Sequence, residues 1–527
     1  MGLTTSGFGF GDGSEVESEK NTNAHYVNWR STMTLIKSVL LGSAAGIVAV
    51  ASAQAADLPT HKAAPVAQYV KICDVGGITG WVLPGSDTCV KLSGYITAQF
   101  NGGNLSQQYT WAGRGQRSLV GNDDKFFRDE IGWTTRANFG FDFASNTAYG
   151  PLIGHMDFNG EMGNGFDNTG TSTYVNTAYL TWAGITAGKA ASFYSFVGGG
   201  DNWANIFSPD RKGFNQPNLL AYTASFGGGF SATISAESQG ALGGSGGGTN
   251  MTGTNTWNPS YAAGGYVTNE FGGQRWPDIV AALHVKQGWG EAQLSGVLHN
   301  VNVRDAQYYN YGVGCGYNGA AYCDGEESKV GWGIDAGVKF NLPWYAGDTF
   351  LVTGTYTENA VWYSGLVDAM WGENGQVNGN GQAMYLADTF FNPATNTWDK
   401  PSAWSVSAIL EHHWTPTFYT NLEASVGGIK WSGQNGFTCS AGWTNCMGNG
   451  YLSPSAISWL VGLDLGWNPV TNLNFDFELM YQSTHQDTPN RDPQTTYTSY
   501  TGTYTVPGAW EGHSDGFAGR LRITRYF

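Results

Sequence analysis

Strict two-residue alternation, recurring in segments of about eleven residues, restricts what this chain can fold into. In 90–100, Val90, Leu92, Gly94, Ile96, Ala98 and Phe100 share one parity, and Lys91, Ser93, Tyr95, Thr97 and Gln99 the other. In 133–143, Trp133, Thr135, Ala137, Phe139, Phe141 and Phe143 oppose Thr134, Arg136, Asn138, Gly140 and Asp142. The pattern returns at 332–342 and 457–467. Side chains of a strand point alternately to its two faces, so each segment is a strand with one apolar and one polar face. Aromatics stand ten apart on one face, as with Trp404 and Trp414 or Trp133 and Phe143. Ten residues at a strand's rise, tilted as in a barrel, cover roughly 25 Å, the height of an apolar band with aromatic girdles.

Sixteen such segments are expected, near 90–100, 131–143, 149–162, 173–183, 185–191, 218–226, 230–237, 278–286, 290–299, 330–342, 349–358, 403–414, 418–428, 456–467, 472–481 and 516–527. Their connections alternate between short, as at 145–148, 183–184 and 227–229, and long, as at 101–130, 192–217, 238–277 and 359–402. This is the organisation of an all-β, transmembrane antiparallel β-barrel with short periplasmic turns and long extracellular loops. Composition agrees. Charged residues make up only 13% of 527 residues and Gly numbers 77, about half the usual charge and twice the usual glycine. Mean hydropathy is nonetheless −0.26, because every apolar residue is matched by a polar one on the other face. A net charge of −16 argues against a nucleic-acid partner, which needs a basic surface.

The N-terminus reads as an address. Lys37 precedes an apolar stretch at 38–53, and Ala53-Gln54-Ala55 closes it, the pattern of a secretory signal peptide. The expected organisation is an over-called extension at 1–32, a signal peptide at 33–55 cut before Ala56, a periplasmic segment at 56–89 and a barrel over 90–527. Six cysteines, all beyond the signal, form three sequence-local pairs: Cys73 and Cys89, Cys315 and Cys323, Cys439 and Cys446. In an exported chain these are disulfide candidates.

Four stretches resemble the general porins of α-proteobacteria, the rhizobial type in particular. They are Ala53-Gln-Ala-Ala-Asp-Leu-Pro59, Pro84-Gly-Ser-Asp-Thr-Cys-Val-Lys-Leu-Ser-Gly-Tyr95, Asn176-Thr-Ala-Tyr-Leu-Thr-Trp-Ala-Gly184 and the ending Gly519-Arg-Leu-Arg-Ile-Thr-Arg-Tyr-Phe527. The resemblance implies a sixteen-stranded homotrimer of the outer membrane that lets small hydrophilic solutes and ions diffuse passively. It also implies that Phe527 is the signal read by the barrel-assembly machinery, and that the loop 192–217 folds inward to narrow the channel. Asp201 and Asp210 in that loop, with Arg211 and Lys212 beside them, are its candidate constriction residues. In the alternative, both acids cap turns or pair with Arg211 and Lys212.

Parity assigns eleven acids to the inner face: Asp142, Asp157, Glu161, Glu237, Glu291, Asp335, Glu411, Glu423, Asp464, Asp476 and Glu478. It assigns seven bases: Lys91, Arg136, Lys189, Lys286, Lys339, Arg520 and Arg522. Lys91, Arg136, Arg520 and Arg522 fall on the first, second and last strands, which adjoin once the barrel closes. They are the expected basic wall, together with Lys189. The acidic excess predicts a mild cation preference. Acidic outer loops could hold divalent cations bridging lipopolysaccharide. No cofactor or metal set is expected, and no catalytic one. His155, His284, His299 and His413 point inward without a nucleophile beside them in sequence, and His412 and His413 point oppositely. The rival reading is a substrate-selective channel.

Overall fold

A strand edge inside lipid would leave a row of unpaired backbone groups, so a membrane sheet must close. A computed structural model shows how this chain does so. It describes residues 71–103, 131–165, 171–196, 216–238, 265–310, 327–366, 388–392, 397–432, 455–486, 495–499, 502–506 and 513–527. The barrel strands are β1 (Cys89–Gly103), β2 (Ile131–Thr147), β3 (Gly150–Gly165), β4 (Thr171–Trp182), β5 (Ile185–Lys189), β6 (Asn218–Gly227), β7 (Phe230–Glu237) and β8 (Asp278–Gln287). They continue as β9 (Gly290–Asn310), β10 (Glu327–Asn341), β11 (Thr349–Glu358), β12 (Pro401–Thr415), β13 (Phe418–Trp431), β14 (Ala456–Val470), β15 (Leu473–Gln486) and β16 (His513–Tyr526). Each pairs antiparallel with the next, and β16 pairs with β1 from Tyr526↔Tyr95 to Ala518↔Gly103. All sixteen expected segments are strands of this barrel.

The barrel is apolar outside and largely polar inside. On β9, Leu294 and Leu298 are about half exposed while Ser295 and His299 between and beside them are buried. On β14 and β15, Trp459, Leu463, Phe477 and Leu479 face out, whereas Asp464, Asp476 and Glu478 are buried inside. The girdles are cross-strand aromatic pairs. Phe100–Trp133, Trp332–Tyr356 and Trp459–Tyr481 stand toward the long-loop end, and Trp289–Phe340 and Trp467–Phe475 toward the short-turn end. Trp404 and Trp414 both face outward on β12, as their spacing predicts. A charge placed at mid-height on this outer face is expensive. Leu463→Arg is expected to cost about 2–4 kcal/mol of folding free energy in lipid, read from urea titration in vesicles.

A short hairpin precedes the barrel. Ile72–Val75 pairs with Ile78–Val82, which continues onto β1 through Trp81↔Val90 and Val82↔Cys89. A disulfide joins Cys73 to Cys89, tying the hairpin to the first strand. Cys315, Cys323, Cys439 and Cys446 lie outside the described residues.

Two departures from the expected segments have local causes. β5 stops at Lys189, two residues early, because the chain turns into the lumen at Ala190. β9 runs eleven residues past the expected end at 299, paired there with an extra strand, Gly265–Phe271, inside the expected loop 238–277. Beyond the bilayer an outward apolar face is no longer required, so pairing continues after the alternation ends.

The turn at 342–348 is clamped at the short-turn end. Asp348 accepts from the His413 amide at 2.8 Å and stands 2.7 Å from His412 Nδ1. Desolvation opposes ionisation of this carboxyl, but the His413 amide and the His412 ring outweigh it and hold it below its ordinary range.

Candidate functional site

The inner face carries two unlike halves. One is charged. Arg136 on β2 lies across from Thr97 of β1 and Glu161 of β3, and its guanidinium meets Glu161 Oε2 at 2.7 Å. Arg522 on β16 lies across from Gln99 of β1 and Asp476 of β15, and Arg520 from Asn101 and Glu478. Arg522 Nε donates to Gln99 Oε1 at 2.8 Å. Closure thus brings Arg136, Arg520 and Arg522, almost four hundred residues apart in sequence, to the two sides of β1. Acids adjoin them on the next strands. Asp464 of β14 faces Glu478 of β15, and Asn421 Nδ2 on β13 donates to Asp464 at 3.0 Å. Bases and acids therefore stand side by side on one wall.

Lys91 is separate. It shares the inner parity but lies at the start of β1, six residues below Thr97 and across from Asp142, or roughly 20 Å along the strand. Lys189 is corrected. The register sets it across from Ala178 of β4 and Asn218 of β6, in line with Ala187 and Leu220, on the outer face that bears Leu180 and Tyr222. Its Nζ donates to the Val175 carbonyl at 2.7 Å, so it belongs to the barrel's outside. Ile185 and Ala187 share its parity, so the alternation of β5 puts Lys189 outside, against the inward assignment. Asp201, Asp210, Arg211 and Lys212 lie outside the described residues.

The other half is covered by chain. After β5, residues 190–196 run across the inner face as far as β9–β12. The Phe193 amide donates to Glu237 Oε1 at 3.1 Å, and the Tyr194 carbonyl accepts from Ser295 Oγ at 2.6 Å. Tyr194 is fully buried, with its hydroxyl 2.7 Å from Thr355 Oγ1. Phe196 packs against Leu351 and Ile409, its ring seated over Gly337. After β11, residues 359–366 do the same. Tyr363 donates from its hydroxyl to Asp278 Oδ2 at 2.6 Å and packs on Val280 and Val297. Its ring meets that of Tyr194 with centroids 4.8 Å apart.

In the sequence nothing sets His299 apart from plain lining, and nothing marks Asp278 or Asp388. The three are fully buried together: His299 Nδ1 lies 2.9 Å from Asp278 and Nε2 3.2 Å from Asp388. A signal was present in the inner parity of β10, which reads Gly331, Gly333, Asp335, Gly337. Water needs no glycine in a lumen wall. A packed segment does, and side chains at these three glycines would collide with Asn359, Tyr194 and Phe196. Of the other inward histidines, His155 pairs with Asp142 at 2.6 Å, His413 with Glu411 at 2.7 Å and His284 with Glu291 at 3.4 Å. Among the described residues no group of three or more His, Cys, Asp or Glu side chains is arranged to hold a metal ion, the Asp278–His299–Asp388 trio included.

Comparison with known proteins fits this lumen. The family model described as Porin subfamily matches residues 57–513. Porin Omp2a of Brucella ovis is 29% identical over 272 residues, covering 50% of this chain and 69% of that protein. Porin Omp2b of Brucella canis is 29% identical over 335 residues, covering 58% and 80%. Among solved structures, the outer membrane channel DcaP of Acinetobacter baumannii superposes with a TM-score of 0.50 at 13% identity, covering 85% of this chain and 99% of that one. That likeness is one of fold. With a closed sixteen-stranded barrel, a lipid-facing apolar exterior and a charged interior, the chain belongs to the porin family and is an outer-membrane porin.

Proposed function

We propose that this porin conducts small hydrophilic solutes and ions passively, with a mild preference for cations. The observation that carries this reading is the inner face itself. Arg136, Glu161, Asp464, Asp476, Glu478, Arg520 and Arg522 line one side of a barrel whose strand number leaves an aqueous channel. Inward acids outnumber inward bases, and moving Lys189 outward widens the margin. Asp201 and Asp210, if the rest of the loop 192–217 follows residues 190–196 inward, would oppose the arginines and set a field across the passage. Charged groups of both signs in one passage orient dipolar solutes without binding them tightly, which suits diffusion better than catalysis.

Three such subunits are proposed to assemble, with the small outward residues Ala98 and Gly519 permitting close approach; Gly94, the third small residue of this seam, is covered by the Phe527 ring. Export by the 33–55 signal, and loop contacts with lipopolysaccharide through divalent cations, complete the reading. Liposomes carrying the purified protein should swell in isotonic pentose and hexose at rates that fall with solute size. Swelling for one solute and not for others of its size would favour the substrate-selective alternative. The arginine pair at neighbouring heights on β16 is the feature that favours it.

A further inference from the structure

We propose that residues 359–366, latched by Asp278, His299 and Asp388, form a second fixed inner wall that confines permeation to the charged side of the lumen. The segment follows the long-loop end of β11, where an external loop would be expected to meet water. Instead Ala360, Val361, Tyr363, Ser364 and Leu366 are all at most 1% exposed.

What buries them is the inside of the barrel. Tyr363 reaches Asp278 on β8. Val297 of β9 packs in the same cluster. The Asn359 carbonyl lies over Gly331 of β10. Thr355 of β11 donates to the Tyr363 carbonyl at 3.2 Å, and Ser405 of β12 to the Ser364 carbonyl at 2.5 Å. A Cβ on Gly427 of β13 would fall 2.6 Å from a Leu366 methyl. Six consecutive strands, β8 to β13, are thus covered, and the arginine wall at β16, β1 and β2 is not among them.

The latch joins both ends of the excursion. His299 stands between Asp278 of the wall and Asp388 of the returning chain. Asp388 Oδ1 accepts from the Val361 amide at 2.8 Å, and its carbonyl accepts from Asn359 Nδ2 at 2.7 Å. Three ionisable groups with no exposure to solvent hold a fixed geometry, because separating them strands a buried charge. The Tyr194–Tyr363 contact then joins this wall to the segment after β5, so the two inward segments act as one partition. Asp278, His299 and Asp388 are positioning residues in this scheme and touch no solute.

The test is electrical and covalent. His299→Ala leaves two carboxylates facing each other, so the segment should leave the wall. Single-channel conductance should rise at least about 1.5-fold, since ion flux follows the open cross-section. The largest sugar admitted in liposome swelling should grow, and ion selectivity should weaken. Leu366→Cys with Gly427→Cys should cross-link on oxidation in the otherwise native, assembled protein and leave its conductance at the native value. The same cross-link in the His299→Ala protein should return conductance to that value, which a merely structural role for His299 would not do. Assembly is checked by heat-dependent mobility on gels. Should His299→Ala fail to assemble, the cross-link in the native background decides. Failure to form it, or a fall in conductance once formed, overturns the proposal, as does an assembled His299→Ala barrel with native conductance and size limit. The inference rests on the pore reading, and the two fail separately. A native protein without current refutes the pore, whereas a conducting native protein with unaltered variants refutes only the second wall.

Discussion

Replacing Arg136, Arg520 and Arg522 together by glutamine is expected to raise the potassium-to-chloride permeability ratio at least about threefold in 0.1 M salt, because fixed charge in a narrow passage sets the local ion concentration. These side chains flank β1 at three successive inward positions, across from Thr97, Gln99 and Asn101, and Arg520 and Arg522 stand directly across from the acids of β15. Without them Asp464, Asp476 and Glu478 act on the passage unopposed. The reversal potential across a tenfold KCl gradient measures the change. The complementary triple, Asp464→Asn, Asp476→Asn and Glu478→Gln, should move it toward anions. Both shifts should shrink in 1 M salt, where the screening length falls from ~10 Å to ~3 Å. An unchanged potential in both triples would mean that ions do not pass this wall.

Gly94→Val is expected to abolish closure. Gly94 lies where the last residue meets the first strand: the Gly94 amide donates to the Phe527 carbonyl at 3.3 Å and the Phe527 amide to the Gly94 carbonyl at 3.0 Å. A side chain here would strike the Asn138 carbonyl and the Phe527 ring. That ring lies outward beside Phe139, with centroids 6.1 Å apart, so the terminal aromatic has a packed seat as well as a place in the ladder. An open seam leaves two strand edges in lipid, each unsatisfied group costing several kcal/mol. Folded, heat-modifiable barrel should fall below about one tenth of the native yield, a loss of 1.4 kcal/mol or more. Phe527→Ala keeps both backbone bonds and should assemble in intermediate amount. Equal yields from all three proteins would contradict the seam.

The barrel was legible in the sequence because lipid enforces it. Each membrane strand must show hydrocarbon-facing side chains on one parity, so Trp133, Phe139, Leu463 and Leu521 mark their strands and, by exclusion, mark Arg136, Asp464 and Arg522 as lumen residues. The closure of β16 on β1 follows from strand count, and with it the meeting of the three arginines. Lys189 obeys the same rule, since Ile185 and Ala187 share its parity, but a charge on that face at the end of the five-residue β5 argued for the lumen. Gly265–Phe271 escaped the rule because that strand pairs with the part of β9 that has no lipid to face. The covered half of the lumen was illegible for a different reason. Asp278, His299, Tyr363 and Asp388 come from three distant stretches, and nothing periodic links them. Only the inward glycines of β10 and Gly427 recorded that something packs there.

Single-channel recording of the purified protein in planar bilayers, over KCl from 0.1 to 3 M, tests the central claim most directly. A water-filled pore predicts discrete steps whose conductance grows in near proportion to bulk electrolyte, without saturation. No steps, or a conductance that saturates at low salt, would contradict an open diffusion channel.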